Sequence, residues 1–193
     1  VGCTSFFPSK NLGCYGDGGA IFTDDDALAE RMQAIANHGM VMRYHHDLIG
    51  VNSRLDSIQA AILDVKLRSL KEYTANRQRA AAYYDKAFAG NPHLLVPGRD
   101  VHSTHVFHQY TLRLVGIDRD ILKAGLEERH IPAMVYYPVP LHMQKAYQDP
   151  RYKQGDFPVV ERLAACVLSL PMHSELDEEQ LAYITQAVNE LTR

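Results

Sequence analysis

Apolar and polar positions alternate between two periods along the chain, and that change of period predicts its elements. Cys3, Thr4, Phe6 and Phe7 suit a strand, and Gly19 to Thr23 suit a second, with a glycine-rich connection between them. Thr23-Asp24-Asp25-Asp26 supplies an N-cap and first-turn acids for a helix through Ala27, Leu28, Met32 and Ile35, with Gly39 as its stop. An irregular polar stretch is expected from Met40 to Asn52. From Asp56 the apolar positions Ile58, Ala61, Ile62, Val65, Leu67 and Leu70 predict one long helix, which runs through Phe88 until Gly90-Asn91-Pro92 breaks it.

Beyond that break the pattern predicts a compact α/β unit. Strands are expected at Val106 to Val115, Ile131 to Tyr137 and Cys166 to Leu170, and helices at Asp118 to Arg129, Phe157 to Ala165 and Asp177 to Leu191. Strands alternating with helices imply a mixed or parallel sheet. A helix as long as the one after Asp56 often joins two domains, so the division is expected at 1–75 and 76–193.

Composition narrows the class. The 193 residues are 46% hydrophobic and 22% charged, as in a soluble globular chain. A net charge of -3 with dispersed basic residues argues against a nucleic-acid surface. No apolar run reaches membrane-spanning length. Cys3, Cys14 and Cys166 are far apart and form no CxxC, which reads as reduced thiols in a cytoplasmic protein. The first residues enter mid-strand without a methionine, so a fragment, or a numbering that restarts partway through a longer polypeptide, is expected.

The candidate chemistry starts at Lys10. An apolar strand that delivers one lysine to the mouth of Gly13-Cys14-Tyr15-Gly16-Asp17-Gly18-Gly19 could present an amine to an electrophile, provided that its surroundings keep the amine unprotonated. On spacing alone, a surface lysine at a strand end is the simpler reading. Ser5 could bind a phosphate or be an ordinary strand hydroxyl, and the glycines could form an anion nest or a tight turn. Asn52 could cap the following helix or donate to a phosphate, and Arg54 could grip a carboxylate or phosphate. His102, His105 and His108 lack partners at ligand spacing, so no metal site is expected. Tyr136 and Tyr137, ahead of Pro138, could stack on a base or sugar or pack in a core.

Taken together, six runs carry a resemblance: Ser5-Phe6-Phe7-Pro8-Ser9-Lys10, Gly16-Asp17-Gly18-Gly19-Ala20, His38-Gly39, Gly50-Val51-Asn52-Ser53-Arg54-Leu55-Asp56 with Gln59-Ala60-Ala61, Tyr137-Pro138-Val139-Pro140-Leu141-His142, and Leu170-Pro171-Met172-His173. In this order they resemble the DegT/DnrJ/EryC1/StrS sugar aminotransferases through the whole chain. The resemblance implies a type I pyridoxal-phosphate transferase fold, of which the chain would hold the rear of the large domain and the small C-terminal α/β domain. It implies Lys10 as the catalytic lysine in Schiff-base linkage to pyridoxal 5'-phosphate, with Ser5 on the cofactor phosphate. Asn52 would reach the cofactor phosphate of a neighbouring subunit, which makes a homodimer the smallest working unit.

The wording is most similar to enzymes that aminate UDP-2-acetamido-3-oxo-glucuronic acid in surface-polysaccharide biosynthesis. That likeness implies Arg54 on the uronate carboxylate, Tyr136 and Tyr137 near the nucleotide-sugar, and an amino-acid donor such as glutamate. The alternatives are a pyridoxal-phosphate sugar dehydrase, against which Lys10 speaks because those relatives carry histidine there, and a non-catalytic binding or dimerisation module. The aspartate that would pair with the pyridine nitrogen and the ring-stacking residue have no match here, so activity is expected only with an N-terminal half supplied.

Overall fold

The computed structural model describes residues 1–193. They divide into two compact units, Val1–Lys71 and Glu72–Arg193.

In the first unit β1 (Gly2–Ser5) and β2 (Gly19–Phe22) pair antiparallel, with Gly2 opposite Phe22 and Ser5 opposite Gly19. The residues between these strands form the loop that carries Lys10. Helix α1 (Asp26–Ala36) starts where Asp25 accepts the Leu28 amide at 2.9 Å. After it, β3 (Met40–Met42) and β4 (His45–His46) form a short antiparallel hairpin in the stretch expected to be irregular. Its turn uses Tyr44 in the left-handed region, φ 68°, where a tyrosine gives no turn signal.

The segment after this hairpin is laid against the end of α1. Val51 and Ser53 amides donate to the Ile35 and Ala36 carbonyls at 2.8 and 2.9 Å, satisfying acceptors that a helix end otherwise leaves open. The approach is possible because two glycines meet: a Cβ on Gly50 would stand 2.2 Å from the Gly39 nitrogen, and one on Gly39 would overlap the Leu48 carbonyl. Helix α2 (Ser57–Leu67) begins with Asp56 accepting from the Ile58 amide at 2.7 Å.

The single long helix expected from Asp56 to Phe88 is instead two, α2 and α3 (Leu70–Phe88). Ser69 bonds back only three residues, to Lys66, so the ladder tightens and changes register at Arg68–Ser69. No glycine or proline marks the place, and Arg68 itself keeps helical angles.

The second unit holds β5 (Leu94–Leu95), β6 (Tyr110–Leu114) and β7 (Val167–Leu170) in one sheet of that order, and both pairings are antiparallel. The expected mixed or parallel sheet is not formed, and all strand pairs in both units are antiparallel. Ile131 to Tyr137, expected as a strand, contributes only a bridge between Met134 and Ser169. Pro132 and Pro138 flank the bridge and have no amide hydrogen to extend a ladder.

Tyr110, Leu112 and Leu114 alternate onto the buried face of β6. Against the sheet pack Ala80, Tyr84 and Phe88 of α3, Leu122 and Leu126 of α4 (Arg119–Glu128), and Leu181, Ile184 and Val188 of α6 (Glu178–Leu191). Each set recurs at three or four residues, the stripe of a helix buried on one side. Asp118 caps α4, and Asp177 with Gln180 forms a capping box on α6.

Glu161, in α5 (Pro158–Cys166), organises the loop before it. Its carboxylate accepts from the Gly155 amide at 2.9 and 3.0 Å and stands 3.0 Å from His142 Nε2. These bonds, the Gly155 amide foremost, hold its carboxyl below the usual glutamate range. A depressed carboxyl pKa contributes stability that is present above the unfolded value and lost as pH falls through the folded one. The Gly155 amide resonance should therefore keep its bonded shift at neutral pH and lose it only on acidification below the usual glutamate range, and a Glu161→Gln variant should show no such acid step.

No helix is long and apolar enough to cross a membrane.

Candidate functional site

Lys10 sits at the end of a tight turn, where its amide donates to the Phe7 carbonyl at 2.8 Å. Its side chain is partly sheltered, and its amine makes no hydrogen bond or ion pair. The neck of its loop is closed by Phe6 N to Gly18 O and Cys14 N to Phe6 O, both 2.8 Å. Cys14, fully buried, adds its thiol, which donates to Phe6 O at 2.9 Å and Gly16 O at 3.0 Å. The glycine loop thus closes on its own backbone.

Ser5 ends β1 at the same neck. Its hydroxyl oxygen accepts the Phe7 amide at 3.2 Å, and its own proton remains free to donate. Asn52 is exposed and bridges backbone to backbone with Asn37. Its side-chain oxygen accepts from Arg54 Nε at 3.2 Å, leaving the Asn52 amide NH2 and the terminal guanidinium nitrogens of Arg54 for a ligand. Asn52 does not cap α2, since Asp56 does that.

A cavity of about 1150 Å³ opens between β1, β2 and α1. Arg54 is among its walls, with Thr4, Gly19 and Met32, whereas Lys10 and Ser5 are not. Lys10 therefore lies outside the walls of this hollow.

Tyr136 and Tyr137 belong to the second unit. Their rings meet edge to face with centroids 5.5 Å apart, and Tyr137 is the more exposed at 72%. Of the three spaced histidines, His105 stacks on Phe107 at 4.1 Å and accepts its amide, which gives that ring a structural task.

Sequence reasoning missed what holds the Lys10 loop from outside. Gln59 Oε1 accepts the Tyr15 amide at 2.7 Å, and Lys66 Nζ donates to the Gly13 carbonyl at 2.5 Å. The available signal was their spacing, two helical turns on one face of α2. For Glu161 and His142, 19 residues apart, no local pattern existed.

The donor set suits an aldehyde that bears a phosphate: an uncommitted primary amine, a hydroxyl with a free proton, and a side-chain amide. The chain is 47% identical over 98% of its length to a Geobacillus stearothermophilus protein named pleiotropic regulatory protein, covering 51% of that protein. It is 46% identical over 97% of its length to the UDP-2-acetamido-2-deoxy-3-oxo-D-glucuronate aminotransferase of Pseudomonas aeruginosa, again covering 51%. The chain thus spans about half the length of these curated relatives. Among solved structures it superposes with a TM-score of 0.94 and 39% identity on Streptomyces venezuelae DesV in complex with a ketimine intermediate, over 99% of this chain and 51% of that one. Residues 1–189 match the sequence model of the DegT/DnrJ/EryC1/StrS aminotransferase family, whose members depend on pyridoxal phosphate, and the chain belongs to that family.

Proposed function

We propose that this chain carries the lysine-bearing part of a cytoplasmic, pyridoxal-phosphate-dependent aminotransferase that moves an amino group from an amino-acid donor, glutamate foremost, to a UDP-linked 2-acetamido-3-oxo-glucuronic acid. The observation that carries the reading is the uncommitted amine of Lys10 on a loop closed by its own backbone and by Cys14. Family membership and the name of the Pseudomonas relative support the substrate class.

In this reading Lys10 holds the cofactor through its amine, Ser5 donates to the cofactor phosphate, and Asn52 donates to the phosphate in a partner subunit of a homodimer. Pyridoxal phosphate, when bound, supplies a carbonyl that takes up an amine and a ring that receives the electron pair of a broken C–H bond. Lys10 Nζ takes the proton from the donor's α-carbon and returns a proton to the sugar carbon that receives nitrogen. Arg54 presents its terminal nitrogens to the uronate carboxylate, a bidentate match that a lysine cannot reproduce. Tyr136 and Tyr137 flank the nucleotide-sugar. The remainder of a longer polypeptide completes the cofactor pocket.

The test uses the full-length protein loaded with pyridoxal phosphate. An absorption at about 420 nm that borohydride abolishes, with the reduced label on Lys10, supports the reading. Absence of any label on Lys10 sinks it and favours a non-catalytic module. Arg54→Lys is expected to raise KM for the uronate sugar by roughly 10- to 100-fold, as a lost charge-assisted pair does. The same change should leave KM for a UDP-keto-sugar lacking the carboxylate within about twofold. Equal effects on both sugars would remove Arg54 from carboxylate recognition.

A further inference from the structure

We propose that Gln59 and Lys66 of α2 are positioning residues for Lys10, acting through the backbone of the loop that carries it; the inference rests on the reading of Lys10 as the cofactor lysine. The bonds that close the loop on itself gather Phe6, Cys14, Gly16 and Gly18 at the neck. They leave the far side, around Gly13 and Tyr15, without a strand or helix of its own. That side is held by α2.

Gln59 and Lys66 are seven positions apart, almost two full turns, so both project from one stripe of the helix. Gln59 accepts from the Tyr15 amide at 2.7 Å, and its Nε2 lies close enough to Gly16 that a Cβ there would stand 3.2 Å away. Lys66 donates to the Gly13 carbonyl at 2.5 Å, and its ammonium is 5.6 Å from the centre of the Tyr15 ring. Both hydrogen bonds go to loop backbone, so they set where the loop runs whatever side chains it bears.

From Gly13 the path to Lys10 is direct. Gly13 is buried, and a Cβ there would stand 2.4 Å from the Pro8 carbonyl oxygen and 2.8 Å from that of Phe7. Backbone therefore lies on backbone, with no side chain to absorb a shift. Phe7 O is also the acceptor that closes the turn ending at Lys10. A displacement of Gly13 is thus passed through Phe7–Pro8 to the lysine. A reactive amine displaced by even a fraction of an ångström loses alignment with the atoms between which it moves a proton. Lys66 makes no ion pair, so its charge is committed to the loop carbonyl and the ring of Tyr15.

Cys14 gives a readout that needs neither cofactor nor turnover. Its thiol is wholly buried in the loop, so loosening the loop exposes it to a disulfide reagent. In full-length protein without cofactor, Lys66→Met and Gln59→Leu should each speed labelling of the Cys14 peptide, followed by mass spectrometry, by about tenfold. In the loaded protein they should move the pH midpoint of the Lys10-dependent absorption by more than about half a unit. They should also lower kcat while leaving KM for the sugar within about twofold. Lys66→Arg, which keeps a donor, should restore all three readouts, and melting by circular dichroism verifies that the variants are folded. Parent-like labelling and midpoint in both folded variants, with Lys10 still trapped by borohydride, overturn this proposal alone. A parent protein in which borohydride labels no Lys10 overturns the reading of the lysine and the positioning role together.

Discussion

Replacing Lys10 with alanine is expected to lower turnover of the keto-sugar by about 10⁴-fold, the upper end of what a positioned proton-transfer group contributes. Binding of the UDP-sugar should stay within about twofold, because in the proposed reading the amine acts on a proton and not on the nucleotide. The borohydride-sensitive absorption should vanish with the lysine. Two small changes would separate the roles of this residue. Lys10→Arg retains a positive charge but neither condenses with a carbonyl nor gives up a proton near neutrality, so it should be as inactive as the alanine variant. An added primary alkylamine should recover part of the alanine variant's activity in proportion to its concentration, because it replaces the missing base. Turnover by Lys10→Ala within tenfold of the parent would remove Lys10 from the chemistry.

Arg77→Ala should produce the largest loss of stability, about 3–5 kcal/mol in the unfolding free energy of the second unit. Arg77 is 8% exposed, and its Nη1 donates to the carbonyls of Phe107, His108 and Met172 at 3.0, 3.2 and 2.9 Å. Burial lowers its pKa, so the charge is held at some cost, and no carboxylate offsets it. The benefit lies in the three acceptors. Phe107 adopts φ 44°, a conformation that a bulky side chain seldom takes, and its carbonyl is held by this guanidinium. Without Arg77 those acceptors lose their donor inside the core, each at about 1–3 kcal/mol, and a cavity is left besides. Urea unfolding followed through the near-ultraviolet signal of the buried Tyr84 and Tyr110 measures it. Arg77→Lys should recover only part of the loss, since its stem is one atom shorter and its more strongly hydrated ammonium costs more to bury. A loss below about 1 kcal/mol for the alanine variant would mean that water replaces the guanidinium.

How much of this was legible in the sequence depends on how local the cause is. Helices α1, α4 and α6 were readable because each starts on an aspartate, Asp25, Asp118 or Asp177, followed by apolar residues at helical spacing. The break at Arg68–Ser69 was not, because a shift from four- to three-residue bonding needs no special residue. The β3–β4 hairpin hid behind Tyr44 for the same kind of reason. Ile131 to Tyr137 read as a strand because its apolar content is right, yet its flanking prolines allow only one bridge. The antiparallel order of the second sheet depends on contacts between residues tens of positions apart, such as Tyr110 with Leu170.

The candidate site divides similarly. Lys10, Ser5, Asn52 and Arg54 stood out through wording shared with a family, whereas spacing alone favoured a plain surface lysine. The grip of α2 on the loop spans 44 residues from Tyr15 to Gln59 and 53 from Gly13 to Lys66, so the shared helical face of Gln59 and Lys66 does not by itself reveal what they hold.

The bond from Arg54 Nε to Asn52 Oδ1 has one more implication. A guanidinium tethered at its ε nitrogen turns its flat outer edge outward, and the tether belongs to the side chain proposed to face the partner's cofactor. In the proposed reading, affinity for cofactor and choice of sugar would then rest on the same two positions. A change of asparagine to leucine at 52, made to tune one property, would also let the arginine swing and blur the other. Sequence variation that broadens substrate range should then come in pairs, with both positions altered together.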